Sequence, residues 1–369
     1  MISLLFLLLG GVAHAEPAKT VAGSVVRSKE WIVRRGKARE EEFIGDVRYD
    51  AAGTRLTSDW ALYRQGPNDW QVRGNVYARR EFAAGDVLET RGEKAWYDEN
   101  TLKGRLEPAR GALVPILHTP PEGAPDHAEG EHLSWVGQTV GILAGRARGW
   151  GPRGEFWADA ARYDRLPADQ RLTLSGNRPV LHGYRGGDDS AVKADRILAY
   201  DSPRRTVVTG RALGWIIAQS SAAPKVGPTA ELCGQGSRSE GPGPDARVAA
   251  LLAPLQAGRP AEDEDRFWAA EAAAFGARVC PWGPRVEFWA DEADYAQEPE
   301  RVLTLSGGRP VLRKIEEDQS GAIKADSIVA FGSTRRVVGA GKVKGWFVFK
   351  EEKKRSDKKE KKKNSEKTK

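Results

Sequence analysis

An all-β chain built from repeated strand-and-turn units is what this sequence predicts, on three observations. Gly and Pro are frequent, 41 and 21 in 369 residues, and such punctuation suits short strands joined by turns better than long helices. Two stretches, Glu155 to Ile216 and Glu287 to Phe347, are copies of one unit, and self-similarity at a fixed period marks a repeat architecture. Within each copy, β-branched and aromatic residues alternate with polar ones and stop at Gly, Asn, Asp or Pro, the period-two pattern of half-buried strands.

The chain opens with an apolar run, Leu4 to Leu9, followed by Ala13-His14-Ala15. A short apolar stretch ending small-x-small predicts a secretory signal over 1–15, cleaved before Glu16, and hence a periplasmic protein. No Lys or Arg precedes the run. A diverged module over 30–110 follows, in which Leu56 to Tyr63 resembles the opening phrase of the copies and Trp70 to Val76 their central phrase. Half a unit then recurs from Leu88 through Trp96 to Gly104. The segment 111–132 is rich in Pro, Gly, His and acidic residues and reads as a flexible loop.

The second and third modules, 133–219 and 276–349, hold the two clear copies. One begins Glu155-Phe156-Trp157-Ala158-Asp159 and the other Glu287-Phe288-Trp289-Ala290-Asp291. Each continues into Leu-Thr-Leu-Ser-Gly-x-Arg-Pro-Val-Leu, at 172–181 and 303–312, and each closes with Gly-Trp, at Gly214-Trp215 and Gly345-Trp346. Alternation puts Leu172 and Leu174 on one face, with Leu303 and Leu305 equivalent, and Thr173 and Thr304 on the other. Between these modules, 220–275 is a Ser/Pro/Gly linker followed by Ala-rich stretches, 245–257 and 262–275, which predict short helices.

Net charge is +7, which invites a nucleic-acid reading. The tail 350–369 carries eleven Lys and Arg against five Asp and Glu, leaving about +1 elsewhere, so the body has no overall basic excess to offer a phosphate backbone. The tail itself is too charged to fold, and either a solubilising role or attraction to anionic lipid fits it. Cys233 and Cys280 flank the insertion, and an even count outside the cytoplasm allows one disulfide between them, free buried thiols being the alternative.

Catalytic chemistry finds little support. Asp159, Asp195, Asp291 and Asp326 return in the same phrase of each unit, as expected of carboxylates that accept turn hydrogen bonds rather than of an acid–base pair. His118, His127 and His132 lie among Glu122, Asp126, Glu129 and Glu131, but at spacings that match no metal motif. No nucleophile elbow or phosphate loop occurs. No enzyme activity, cofactor or metal is therefore expected. Trp157, Trp215, Trp289 and Trp346 occupy equivalent positions and fit either core packing or the lining of an apolar groove.

These phrases, with Ala-Asp-x-x-x-Tyr at 158–163 and 290–295, resemble the OstA-like repeat over Phe43 to Gly104, Glu155 to Ile216 and Glu287 to Phe347. That family includes the periplasmic bridge of lipopolysaccharide transport and the N-terminal domain of its outer-membrane translocon. The resemblance implies a twisted, open β-jellyroll whose modules stack end to end, and an apolar groove that shields the acyl chains of lipopolysaccharide or a related glycolipid. By alternation and repeat equivalence its lining would draw on Leu172, Leu174, Val192, Leu303, Leu305 and Ile323, with Trp157 and Trp289. Implied partners are inner- and outer-membrane transport components with jellyroll domains, or further copies of the chain. The chain is about twice the size of a minimal bridge and lacks the translocon's membrane barrel. The competing reading is a secreted envelope scaffold or carbohydrate-binding protein with a filled core.

Overall fold

A computed structural model describes residues 25–36, 39–51, 53–82, 85–137, 139–166, 169–183, 189–217, 285–315, 319–332 and 336–349. The expected signal segment, Cys233 and Cys280, the expected helices and the Lys-rich tail lie outside the described residues. Among the described residues every regular element is a strand, and every pairing is antiparallel.

The first strands are β1 (Val25–Arg27), β2 (Glu30–Arg35), β3 (Arg39–Ala51), β4 (Thr54–Arg64), β5 (Asp69–Glu81), β6 (Val87–Asp98), β7 (Lys103–Glu107) and β8 (Val114–Thr119). Then come β9 (Asp126–Gly130), β10 (His132–Val136), β11 (Val140–Gly151), β12 (Gly154–Leu166), β13 (Asp169–Ser175), β14 (Val180–Gly183), β15 (Asp189–Lys193) and β16 (Arg196–Asp201). The last are β17 (Arg204–Ile217), β18 (Arg285–Ala296), β19 (Val302–Ser306), β20 (Val311–Ile315), β21 (Gln319–Lys324), β22 (Ser327–Phe331), β23 (Arg336–Ala340) and β24 (Lys344–Phe349).

The long strands are shared between two ladders. The first half of β17 pairs with β16 and the second with β15; likewise one half of β12 pairs with β13 and the other with β14. Ladder A thus runs from β2 through β7, β10, β13, β16, β19 and β22 to β23, and ladder B from β1 through β8, β9, β14, β15, β20 and β21 to β24. The halves of β3–β6, β11, β12, β17 and β18 belong to both. At the usual 4.7–4.9 Å between strands, each ladder is roughly 70 Å long.

The bends sit where the residues allow a left-handed backbone. Gly45-Asp46, Gly74-Asn75, Gly145-Arg146 and Gly210-Arg211 are consecutive positive-φ pairs, and the register shifts at each of them. Glycine tolerates such φ values without the clash a β-carbon brings, and a bulge of this kind turns a strand.

One scheme of pairing occurs three times. In β6–β11, β12–β17 and β18–β24 the chain makes one ladder A strand, a ladder B hairpin, then a return to ladder A. The segment 111–132 is therefore not a loop: it contributes the hairpin β8–β9, equivalent to β14–β15. Its alternation of buried Val114, Ile116 and His118 with exposed Pro115 and Thr119 is strand-like, but four prolines mask it. Pro115 is tolerated because β6 stops pairing with β8 at Ile116, so its missing N–H faces no β6 partner.

The core fills the space between the ladders. On ladder A, Leu143, Ala161, Leu174, Ile197, Val208, Ala293, Leu305 and Ile328 are successive cross-strand partners in one buried row. On ladder B the matching row holds Phe156, Leu181, Val192, Gly214, Phe288 and Leu312. A β-carbon on Gly214 would stand 2.5 Å from Cζ of Phe288. The Gly of the closing Gly-Trp phrase thus makes room for the Phe that opens the next unit.

Candidate functional site

Six of the eight groove residues named from the sequence belong to this one interior. Leu172, Leu174, Leu303 and Leu305 are buried in the common core, Val192 joins them, and Ile323 packs against the cluster half-buried. Trp157 and Trp289 do not belong to it. Successive side chains of a strand face opposite ways, and the core takes Phe156 and Phe288 instead. Trp157 is half-buried with the Arg148 guanidinium 5.9 Å from its ring centroid. Trp289 is buried on the far face of ladder B, beside its register partners Leu213 and Val311.

Two neighbouring cavities open among the strand ends farthest from the bends. One, of about 140 Å³, is mainly apolar, with Val192 and Phe288 from ladder B and Ala199, Val208, Ala293 and Leu303 from ladder A in its walls. The small side chains Ala199 and Ala293 leave this space beside otherwise close-packed leucines. Its rim carries Arg153, Tyr200 and Arg205. A cavity of this size accepts a group of about six carbons, as an engineered apolar cavity of ~150 Å³ accepts benzene.

The second cavity, about 410 Å³, is polar and shares Arg153 with the first. Its walls include Asp86, His118 and Asp126 on one side and Tyr163, Arg165 and Gln170 on the other, with the β8–β9 turn forming the rim. His118 lies 3.6 Å from Asp126 and 3.4 Å from Asp86. Burial acts to raise the Asp126 carboxyl, but the approach of His118 and of Arg153, at 3.7 Å, outweighs it and holds the group below the usual carboxylate range. Burial pushes the Tyr163 hydroxyl, which donates to Gln170 Oε1 at 3.0 Å, well above its ordinary pKa.

The histidines that cluster in the sequence are separated by the strands. His118 faces the polar cavity, His127 stacks on Trp150 at 5.3 Å, and His132 sits half-buried on β10. Among the described residues no group of three or more His, Cys, Asp or Glu side chains is placed to hold a metal ion. A different buried pair, His182 and Asp189 at 2.7 Å, lies on the hairpin β14–β15, with Glu155 3.5 Å away. Desolvation lowers the His182 pKa, but the two carboxylates more than offset it and raise the net value.

Three of the four repeated aspartates bond to neighbouring turns and strands. Asp159 accepts the N–H of Asn177, Asp326 that of Lys342, and Asp195 pairs with Arg178 and Arg211. The polar cavity was not apparent in the sequence, because reading 111–132 as a loop hid the strand alternation that turns His118 and Asp126 inward. Comparison with protein-family models and with curated proteins finds no match to the chain.

Proposed function

We propose that this chain is a periplasmic carrier of lipopolysaccharide or a related glycolipid, holding acyl groups between its two ladders while they cross an aqueous compartment. The supporting observation is the apolar cavity walled by Val192, Phe288, Ala199, Ala293 and Leu303 at the strand ends away from the bends. Burial of acyl carbons in such a space is favoured at about 0.8 kcal/mol per CH₂. In this reading the ladders form the walls of an OstA-like twisted, open jellyroll, and the carrier works by sheltering rather than by covalent chemistry.

The ends of the ladders suit stacking of modules. Trp31 and Val33 on β2 and Val25 on β1 are exposed at one end, and Val337, Val338 and Phe347 on β23 and β24 at the other. Each of these strands pairs on one side only among the described residues. Unpaired backbone beside apolar side chains favours strand addition, either from a second copy or from membrane-bound transport components.

A specific observation favours the second reading, an envelope scaffold with a filled core: Leu172, Leu174, Leu303 and Leu305 are at most 3% exposed. Photo-crosslinking separates the two. A photoreactive residue at Val192 or Leu303 is expected to label with radiolabelled lipopolysaccharide, and one at the exposed Thr304 is not. Absence of labelling at both cavity positions in folded protein leaves the scaffold.

A further inference from the structure

We infer that the polar cavity beside Arg153 is a binding site for an uncharged carbohydrate ring. His118 and Asp126 are each 2% exposed; the His118 ring nitrogens stand 3.4 Å from Asp86 and 3.6 Å from Asp126 without hydrogen-bond geometry, and Oδ1 of Asp126 has no hydrogen-bond partner. Nη1 of Arg165, in the facing wall, is also without one. Buried polar atoms in this condition are costly unless a ligand or water supplies the missing bonds. The groups left without a bond are an acceptor on Asp126 and a donor on Arg165, with the imidazole already turned to two carboxylates. A ring bearing adjacent hydroxyls, each donor and acceptor at once, can serve both.

Charge narrows the choice. Asp86, Glu122 and Asp126 around the cavity oppose a phosphate, while Arg153 and Arg165 oppose a divalent cation. A neutral polyol incurs neither repulsion. The cavity, about 410 Å³, has room for a sugar ring with water around it. Because Arg153 borders both spaces, a sugar in the polar one lies next to acyl carbons in the apolar one. The assignment rests on the glycolipid reading for its choice of ligand, but its test uses free sugar.

The experiment titrates the purified full chain with methyl glucoside and maltose, followed by calorimetry and by saturation-transfer NMR of the sugar protons. Binding in roughly the millimolar range is expected, weakened about tenfold by Asp126→Asn and by Arg165→Gln. The second variant lies on the other ladder and serves if the first disturbs folding. No saturation transfer from either sugar overturns the assignment, and acyl labelling at Val192 in that same sample leaves the carrier reading standing. Sugar binding without acyl labelling sustains the site and removes the lipid. Binding of inorganic phosphate or calcium in preference to both sugars overturns it in favour of an ion site.

Discussion

The carboxylate of Asp159 accepts the backbone N–H of Asn177 at 2.7 Å, tying β12 to the turn that ends β13. Asp326 does the same for Lys342 at 3.0 Å. Beside each carboxylate is a positive-φ glycine, Gly176 or Gly341, at which a β-carbon would collide with the aspartate. Asp159→Ala is expected to cost about 1–2 kcal/mol through the lost charge-assisted bond, and Gly176→Ala at least as much. Urea unfolding of both variants checks this. Unchanged stability in both would falsify the turn-anchoring role.

His182 gives stability a pH dependence with a defined sign. Its folded pKa is raised above 6.5 by Asp189 and Glu155 against the opposing effect of burial, so the folded state binds the proton more tightly than the unfolded chain. The stabilisation is fully present below about pH 6.5 and is lost as pH rises through the higher folded value. Thermal melts between about pH 6 and 9 should show wild type falling more steeply than His182→Gln. Parallel curves would mean that the pair is not proton-coupled.

Phe156 and Trp157 test which face of β12 is inside. Phe156, 1% exposed and in the core, should cost about 3–5 kcal/mol on truncation to Ala. Trp157, half-buried outside that cluster, should cost clearly less despite its larger ring. Denaturant midpoints for the two variants decide, and the reverse order would turn the assigned face inside out.

Trp31, 60% exposed on β2, and Phe347, 74% exposed on β24, stand at opposite ends of the chain's strand order. If the ends stack, Trp31→Lys and Phe347→Lys will each weaken concentration-dependent association, as like charges and lost apolar contact both discourage edge pairing. Sedimentation velocity reads the effect, and circular dichroism verifies the folded monomer. A wild-type chain that stays monomeric across the accessible range removes self-stacking from the proposal.

The strands of the two clear copies were legible because leucine and threonine alternate in both, and at 303–305 burial follows, Leu303 and Leu305 being buried and Thr304 exposed, whereas Thr173 in the first copy is buried as well. The inward six of the proposed groove followed from that alternation. The tryptophans did not: repeat equivalence says that Trp157 and Trp289 share a role, not which face they occupy, and the adjacent phenylalanines compete for the same core. The β8–β9 hairpin was hidden by local composition, since proline and acidic residues signal turns in isolation while the β6 and β11 neighbours that make this segment a strand pair are distant in sequence. The polar cavity, assembled from Asp86, His118, Asp126, Arg153 and Arg165, needed that pairing before it could be seen.

The strands that cross from one ladder to the other have a mechanical consequence. They join the two walls along one side like the spine of a book, with the Gly45, Gly74, Gly145 and Gly210 bends as its folds. At the opposite margin, where Gly183, Arg205 and the β8–β9 turn lie, no strand crosses between the walls among the described residues. In the carrier reading, a guest would enter sideways along that margin and would not need to be threaded from one end.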